Sequence, residues 1–289
     1  MSHSLRLHLP TPLEYFSSLV AEDAGLNLLE AAASIAQDEF PALDVQTVLD
    51  EVDELAQRLR QRLPSDASAR HKLQVLLRFF YQELGFAGNL NNYYDRGNSF
   101  VHHVLSTRRG IPITLAVILL ELAAQLGLRA HGVSFPGHFL IKLSMGNGEL
   151  VLDPFTGDSL SRNKLDEYLQ SFRSGAGLEG DLELPVELFL QAATPRDVLA
   201  RMLRNLKEIH RAAQDWPRLL AVQQRLVVLL PQEAGERRDR GLVLESLQHW
   251  PAAAEDLAFY LEQAPQASDA SAVEQRLAQL RQRGVPPLH

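Results

Sequence analysis

The chain has 289 residues, 46% apolar and 22% charged, a globular composition that excludes wholesale disorder and suits two domains of ~150 residues. Its 28 basic and 36 acidic residues leave a net charge of −8, which disfavours a general nucleic-acid or anionic-membrane surface. Cysteine is absent, and with it go disulfides, thiolate metal sites, iron–sulfur clusters and any cysteine nucleophile.

The first residues carry no apolar core ahead of a small-residue cleavage site, so no secretory signal is expected. The longest apolar run, 111–122, is interrupted by Thr114 and Glu121 and falls short of the roughly 18–20 residues a span needs. A soluble, cytoplasmic protein without membrane contact is the expectation. Thr11-Pro12-Leu13-Glu14 predicts a helix start, with an N-cap, a proline in the first turn and the Glu of a capping box. Asn27-Leu28-Leu29-Glu30 repeats that logic. Val45, Val48, Leu49, Val52, Leu55 and Leu59 then recur at spacings of three and four, predicting an amphipathic helix over 44–63. Residues 1–63 hold 11 acids against 4 bases, a solvated face or, alternatively, a docking surface for a basic partner. We assign 1–64 to an N-terminal helical segment packing on the core.

Pro64-Ser65-Asp66 breaks the pattern, and a second amphipathic helix follows through Leu73, Leu76, Leu77, Phe80 and Leu84. Residues 89–98 are polar, aromatic and turn-rich, hence a loop, and a short helix over 99–107 precedes Arg108-Arg109-Gly110. Residues 112–126 are apolar nearly all round, which requires burial on most faces, and Gly127 supplies the C′ glycine. The period then changes to two. Phe139, Ile141, Leu143 and Met145 alternate with polar neighbours, Gly146-Asn147-Gly148 offers turn residues, and 149–152 returns as a second strand. A third strand is expected over 129–135. The region 65–185 is therefore read as an α+β core, in a chain that is predominantly helical.

Residues 173–185 read as a glycine-rich linker, and 193–289 as an all-α domain. There Asp215-Trp216-Pro217 recurs as His249-Trp250-Pro251, and Pro231-Gln232 as Pro265-Gln266, both at one and the same offset. That offset matches the period of the tetratricopeptide helix–turn–helix unit, ~34 residues. Trp216 and Trp250 should each begin the second helix of a pair, and 275–283 should close the array through Leu277 and Leu280.

Two motifs fail on context. Gly175-Ala176-Gly177-Leu178-Glu179-Gly180 matches a dinucleotide-binding pattern literally, but a helix precedes it where a strand is required. His102 and His103 are adjacent and point about 100° apart on a helix, and His131 with His138 lacks a compact ligand set. Neither a metal nor a cofactor is expected. The remaining constellation is His138, opening one strand, and Asp153, closing its neighbour. A hairpin loop over 144–147 sets them directly opposite, about 5 Å apart. A tight turn at Asn147-Gly148 leaves them about 13 Å apart on one face. Sequence leaves both registers open, and with them the choice between an oriented base and two groups satisfying local backbone.

The run from Asn98 to Leu143, with Arg-Arg-Gly-Ile-Pro and Phe-Pro-Gly-His-Phe inside it, followed by Leu-Val-Leu-Asp-Pro-Phe, resembles the transglutaminase-like fold. It looks most like the YchA/SirB-type proteins, which join that core to tetratricopeptide-like helices. The resemblance implies a Cys at the start of the buried helix, a His opening a strand and an Asp on the next, and His138 and Asp153 match the last two. The nucleophile position falls on Pro112, which has neither a thiol nor an amide hydrogen. A pseudo-enzyme serving as an interaction or regulatory module is therefore expected. The alternative is a hydrolase or acyltransferase using a hydroxyl nucleophile, Thr114 before Ser99 or Ser106, with His138 and Asp153. The expected partner is a protein rather than nucleic acid: an acidic segment held along the helical array by Arg201, Arg204, Arg211 and Arg218. Those arginines could equally serve only to solvate their helices.

Overall fold

Thr11 caps α1 (Pro12–Leu19) with both halves of the capping box in place, and the Asn27 side chain accepts from Glu30 N–H to start α2 (Leu28–Ser34). Asp44 caps α3 (Val45–Arg60), whose Val45, Val48, Val52, Leu55 and Leu59 are buried as the spacing requires. The computed structural model describes residues 10–146, 148–175 and 185–283. They form two compact units, 22–202 and 1–21 with 203–289.

In the first unit, α4 (Ala69–Leu77) follows the Ser68 cap and then widens over Arg78–Glu83 into five-residue hydrogen bonding, where one continuous helix is expected from sequence. Phe79 and Phe80 of this widened turn are both fully buried. A two-residue strand, β1 (Ala87–Gly88), pairs in parallel with β2 (Arg109–Gly110) after the short helix α5 (Val101–Thr107). Neither strand is visible in the sequence, because so short a parallel pair carries no periodicity.

The buried helix is α6 (Pro112–Gln125). It packs among α2, α3, α4 and α5. Gly127, at φ 71°, ends it in a Schellman turn: Leu128 N–H reaches Ala123 O (2.9 Å) and Gly127 N–H reaches Ala124 O (2.8 Å). The antiparallel sheet has four strands, β3 (Ala130–Val133), β4 (Leu140–Met145), β5 (Gly148–Leu152) and β6 (Ser159–Leu160), in chain order. Three are expected from sequence; β6 is a two-residue edge, too short to show alternation. Met145 pairs with Gly148, so the connection is the two residues 146 and 147, the second of which lies outside the described residues. This register is neither of the two weighed from sequence and falls midway between them. Helix α6 packs on β3 and β4. Leu165 and Leu169 of α7 (Arg162–Gly175) cluster with Val133, Phe135, Leu140, Val151 and Val186. Of the expected linker, 173–175 belong to α7, and 176–184, which hold most of it and all of the literal glycine motif but Gly175, lie outside the described residues.

Thr194 and Asp197 form a reciprocal cap on α8 (Pro195–Ala212). This helix runs from the first unit into the second, where α9 (Trp216–Leu229), α10 (Ala234–Ser246), α11 (Trp250–Gln263) and α12 (Ala270–Arg283) follow, each packed on the next. Trp216 and Trp250 are the first residues of α9 and α11. Backbone details repeat at that same spacing: Gln214 and Gln248 have φ of 53° and 62°, and Leu230 and Ala264 end their helices in like conformations. Leu277 and Leu280 of α12 close the apolar cluster around Leu257 and Tyr260, and this helix begins at Ala270, earlier than expected. Helix α1 packs on α9, where buried Arg225 lies 4.9 Å from the Phe16 ring centre and donates to Pro12 O (3.4 Å). The first helix thus groups with the C-terminal array, while α2 and α3 pack on α6. Among the described residues, no helix is long and apolar enough to cross a membrane.

Candidate functional site

Pro112 occupies the first turn of α6 and is buried; the preceding cap residue, Ile111, offers no side-chain hydrogen bond. Proline suits this place because a first-turn N–H has no partner within the helix. It also removes one of the amide donors with which a helix start could hold an anion. Two residues on, Thr114 is fully buried and its Oγ1 makes no hydrogen bond.

His138 and Asp153 are brought together. The observed register pairs Leu140 across from residue 153, extrapolating one step beyond Ile141↔Leu152, and so sets His138 on a diagonal to Asp153. Diagonal neighbours about 7–8 Å apart are within reach of an imidazole. Gly137, at φ 69°, turns the chain just before His138, whose N–H bonds Phe135 O (3.0 Å). The ring then brings Nε2 to 3.0 Å from Asp153 Oδ1. The two atoms are in ion-pair range, but the approach lies off the hydrogen-bonding direction, so Nε2 makes no hydrogen bond. Asp153 is anchored by others. Its Oδ1 accepts from Phe155 N–H (2.8 Å) and its Oδ2 from Tyr168 O–H (3.4 Å).

Tyr168 also meets the His138 ring edge-on at 5.3 Å between centres. Burial and then the Asp153 charge push its phenol above the ordinary tyrosine range, so it stays a donor. Tyr81 behaves alike, raised by burial and by Asp153 and Asp158, and donates to Pro154 O (3.0 Å). Neither tyrosine was singled out from sequence. Tyr168 shares the apolar stripe of Leu165, Leu169 and Phe172, which is the signal that could have placed it against the sheet.

None of the hydroxyls weighed as nucleophiles hydrogen-bonds a histidine ring or a carboxylate. Ser99 Oγ is buried without a partner, and Ser106 Oγ donates to His103 O (2.9 Å). Among the described residues, no three of His, Asp or Glu gather where they could hold a metal ion.

Each of the four arginines expected along the array has a partner within the protein. Arg201 donates to Phe135 O (3.1 Å) and lies over Phe139 in the first unit. Arg204 pairs with Glu236 (2.9 Å), Arg211 with Glu208 (2.5 Å) and Arg218 with Asp215 (2.5 Å). Only Arg211 borders the groove of the helical unit, beside Lys207, Arg238 and Arg276, which sequence did not nominate.

A buried helix, a histidine before one antiparallel strand and an aspartate after the next define a transglutaminase-like core; helix pairs repeating from Trp216 to Trp250 define a tetratricopeptide unit. Residues 46–204 match the model of the transglutaminase-like superfamily, and residues 206–278 that of the tetratricopeptide repeat, the two meeting in α8. The chain belongs to the transglutaminase-like superfamily. It is 35% identical over 261 residues to a UPF0162 protein of Xylella fastidiosa (strain Temecula1), covering 90% of this chain and 92% of that one. It is 29% identical to the UPF0162 protein YchA of Escherichia coli K12, over 83% of this chain and 86% of that one. Protein SirB1 of Salmonella typhimurium is 28% identical, over 81% and 84%. No solved structure matches the chain.

Proposed function

We propose that the transglutaminase-like core is non-catalytic and that the protein acts in the cytoplasm as a protein-interaction or regulatory module, binding its partner through the tetratricopeptide helices. The observation that carries this reading is Pro112. The helix start that would present a nucleophile and its amide holds a buried residue with neither. Tetratricopeptide helices stack into surfaces that bind other proteins, which supports the second half of the reading.

The retained His138–Asp153 pair favours one competing reading, a hydrolase or acyltransferase with a hydroxyl nucleophile. A hydroxyl needs an aligned base. Thr114 Oγ1 and Ser99 Oγ have no hydrogen-bond partner, and Ser106 Oγ spends its proton on a backbone carbonyl. The test is a screen of the full-length chain against amide, ester and thioester substrates. No turnover above background is expected. Turnover abolished alike by His138→Ala and Thr114→Ala would establish the enzyme reading instead.

A further inference from the structure

The helical unit holds a groove of about 470 Å³ bordered by α8, α9, α10 and α12. At its floor lies Gln223, fully buried, with neither its amide nitrogen nor its amide oxygen hydrogen-bonded. A carboxamide in that state has lost its hydration without replacement, a standing cost that an apolar side chain of the same length would avoid. Trp216, Leu219, Leu242 and Val243 supply apolar wall.

The charges at the rim are already matched. Lys207 holds Glu236 (2.9 Å) and Asp239 (2.5 Å), Arg238 holds Asp239 and Asp269 (2.7 Å each), and Arg276 holds Glu245. Arg211 is held by Glu208. An acidic ligand could gain these cations only by displacing carboxylates that have them now, so the acidic segment expected from sequence fits poorly. What the groove leaves unmet is one donor and one acceptor on the same side chain. The group complementary to a carboxamide is another amide, and the commonest amide in a partner protein is the peptide unit.

We propose that this groove binds an uncharged, extended peptide segment of a partner protein, pairing one of its peptide units with the Gln223 amide and seating one aliphatic side chain beside Trp216. The amide is covered in the free protein and turns about its side-chain torsions onto the occupant. The assignment rests on the reading that the helical unit binds protein and names the chemistry of what it binds.

The full-length chain, with both tryptophans replaced by 5-fluorotryptophan, is titrated with acetyl-Ala-Leu-Ala-amide and with acetyl-Glu-Leu-Glu-amide. The neutral peptide should move the Trp216 fluorine resonance and leave that of Trp250 in place. The acidic peptide should bind about tenfold more weakly. Gln223→Met should weaken the neutral peptide about tenfold and raise the Tm, because it removes an unsatisfied buried amide. Arg211→Gln should leave the affinity unchanged. Tighter binding of the acidic peptide, or equal affinity in wild type and Gln223→Met, overturns the assignment. So does self-association that Gln223→Met abolishes while neither peptide moves the resonance. A partner protein held equally by wild type and Gln223→Met would end this assignment and leave the interaction-module reading standing.

Discussion

Asp153 takes two protein donors besides its approach to His138, and it is 2% exposed, so removing its carboxylate strands Phe155 N–H and Tyr168 O–H. Asp153→Ala should therefore cost about 1–3 kcal/mol in urea unfolding. His138→Ala should cost less than about 1 kcal/mol, since its ring is 23% exposed and its Nε2 makes no hydrogen bond. Equal losses would mean that the pair itself holds this corner of the sheet. Acid sensitivity near neutral pH comes from two other histidines. Burial, with His103 nearby, pushes His102 below its ordinary value of 6.5, and burial with Lys142 does the same to His131. Each binds its proton more readily in the unfolded chain. Their contribution is thus complete above the ordinary value and drains as pH falls through it toward the lowered folded value. The urea midpoint should fall between about pH 7 and pH 5, and His102→Leu should flatten that slope. At this scale the sequence shows which residues are present, Pro112 above all, because identity needs no fold. It does not show who partners them: Arg204 and Lys207 of α8 meet carboxylates that the repeat brings in from α10, far along the chain.

The helices were largely legible, since their signals are local. The caps at Thr11, Asn27 and Asp44, the all-round apolar run of α6 and Gly127 each act within a few residues of themselves. Gly127→Ala keeps ample room for its methyl group, whose nearest neighbour is Lys72 Nζ at 3.9 Å, but forces alanine to φ 71°. A loss of about 1 kcal/mol is expected in thermal unfolding, and a stability equal to wild type would show that the turn relaxes. Ile118→Ala, in the fully buried middle of α6, should cost about 2–5 kcal/mol by the same measurement. Less legible was anything that depends on a partner strand or on packing. The widening of α4 over Arg78–Glu83 carries no periodicity of its own in the sequence. The pairing of β1 with β2 joins Ala87 to Arg109 across the whole of α5, beyond the reach of any local signal. The hairpin register, with Met145 opposite Gly148, lies one position off both alternatives, because three consecutive turn-forming residues permit several hairpins of nearly equal cost.

The whole chain divides where no composition shift marks it, at residue 21 and again inside α8. Arg225 explains the first division: buried on α9, it reaches the Phe16 ring and Pro12 O and so ties α1 to the C-terminal helices. Arg225→Leu should speed amide hydrogen exchange in 12–19 and leave 28–60 unchanged. Slower exchange in α1, or equal acceleration in both segments, would remove that tether as the cause. The α+β class, the helix-pair repeat, the buried helix and the absence of a thiol where a transglutaminase-like nucleophile belongs can all be read from the residues in order. Those are properties of single residues or of periodicities along the chain, and local sterics and hydrophobic burial suffice to set them. Packing sets that His138 reaches Asp153, that the cations bordering the groove are paired, and that Gln223 is buried with its amide unmet. Each of these depends on which side chains arrive from distant segments and how closely they pack, and a one-residue slip in register or a different neighbour across a helix pair would have changed it.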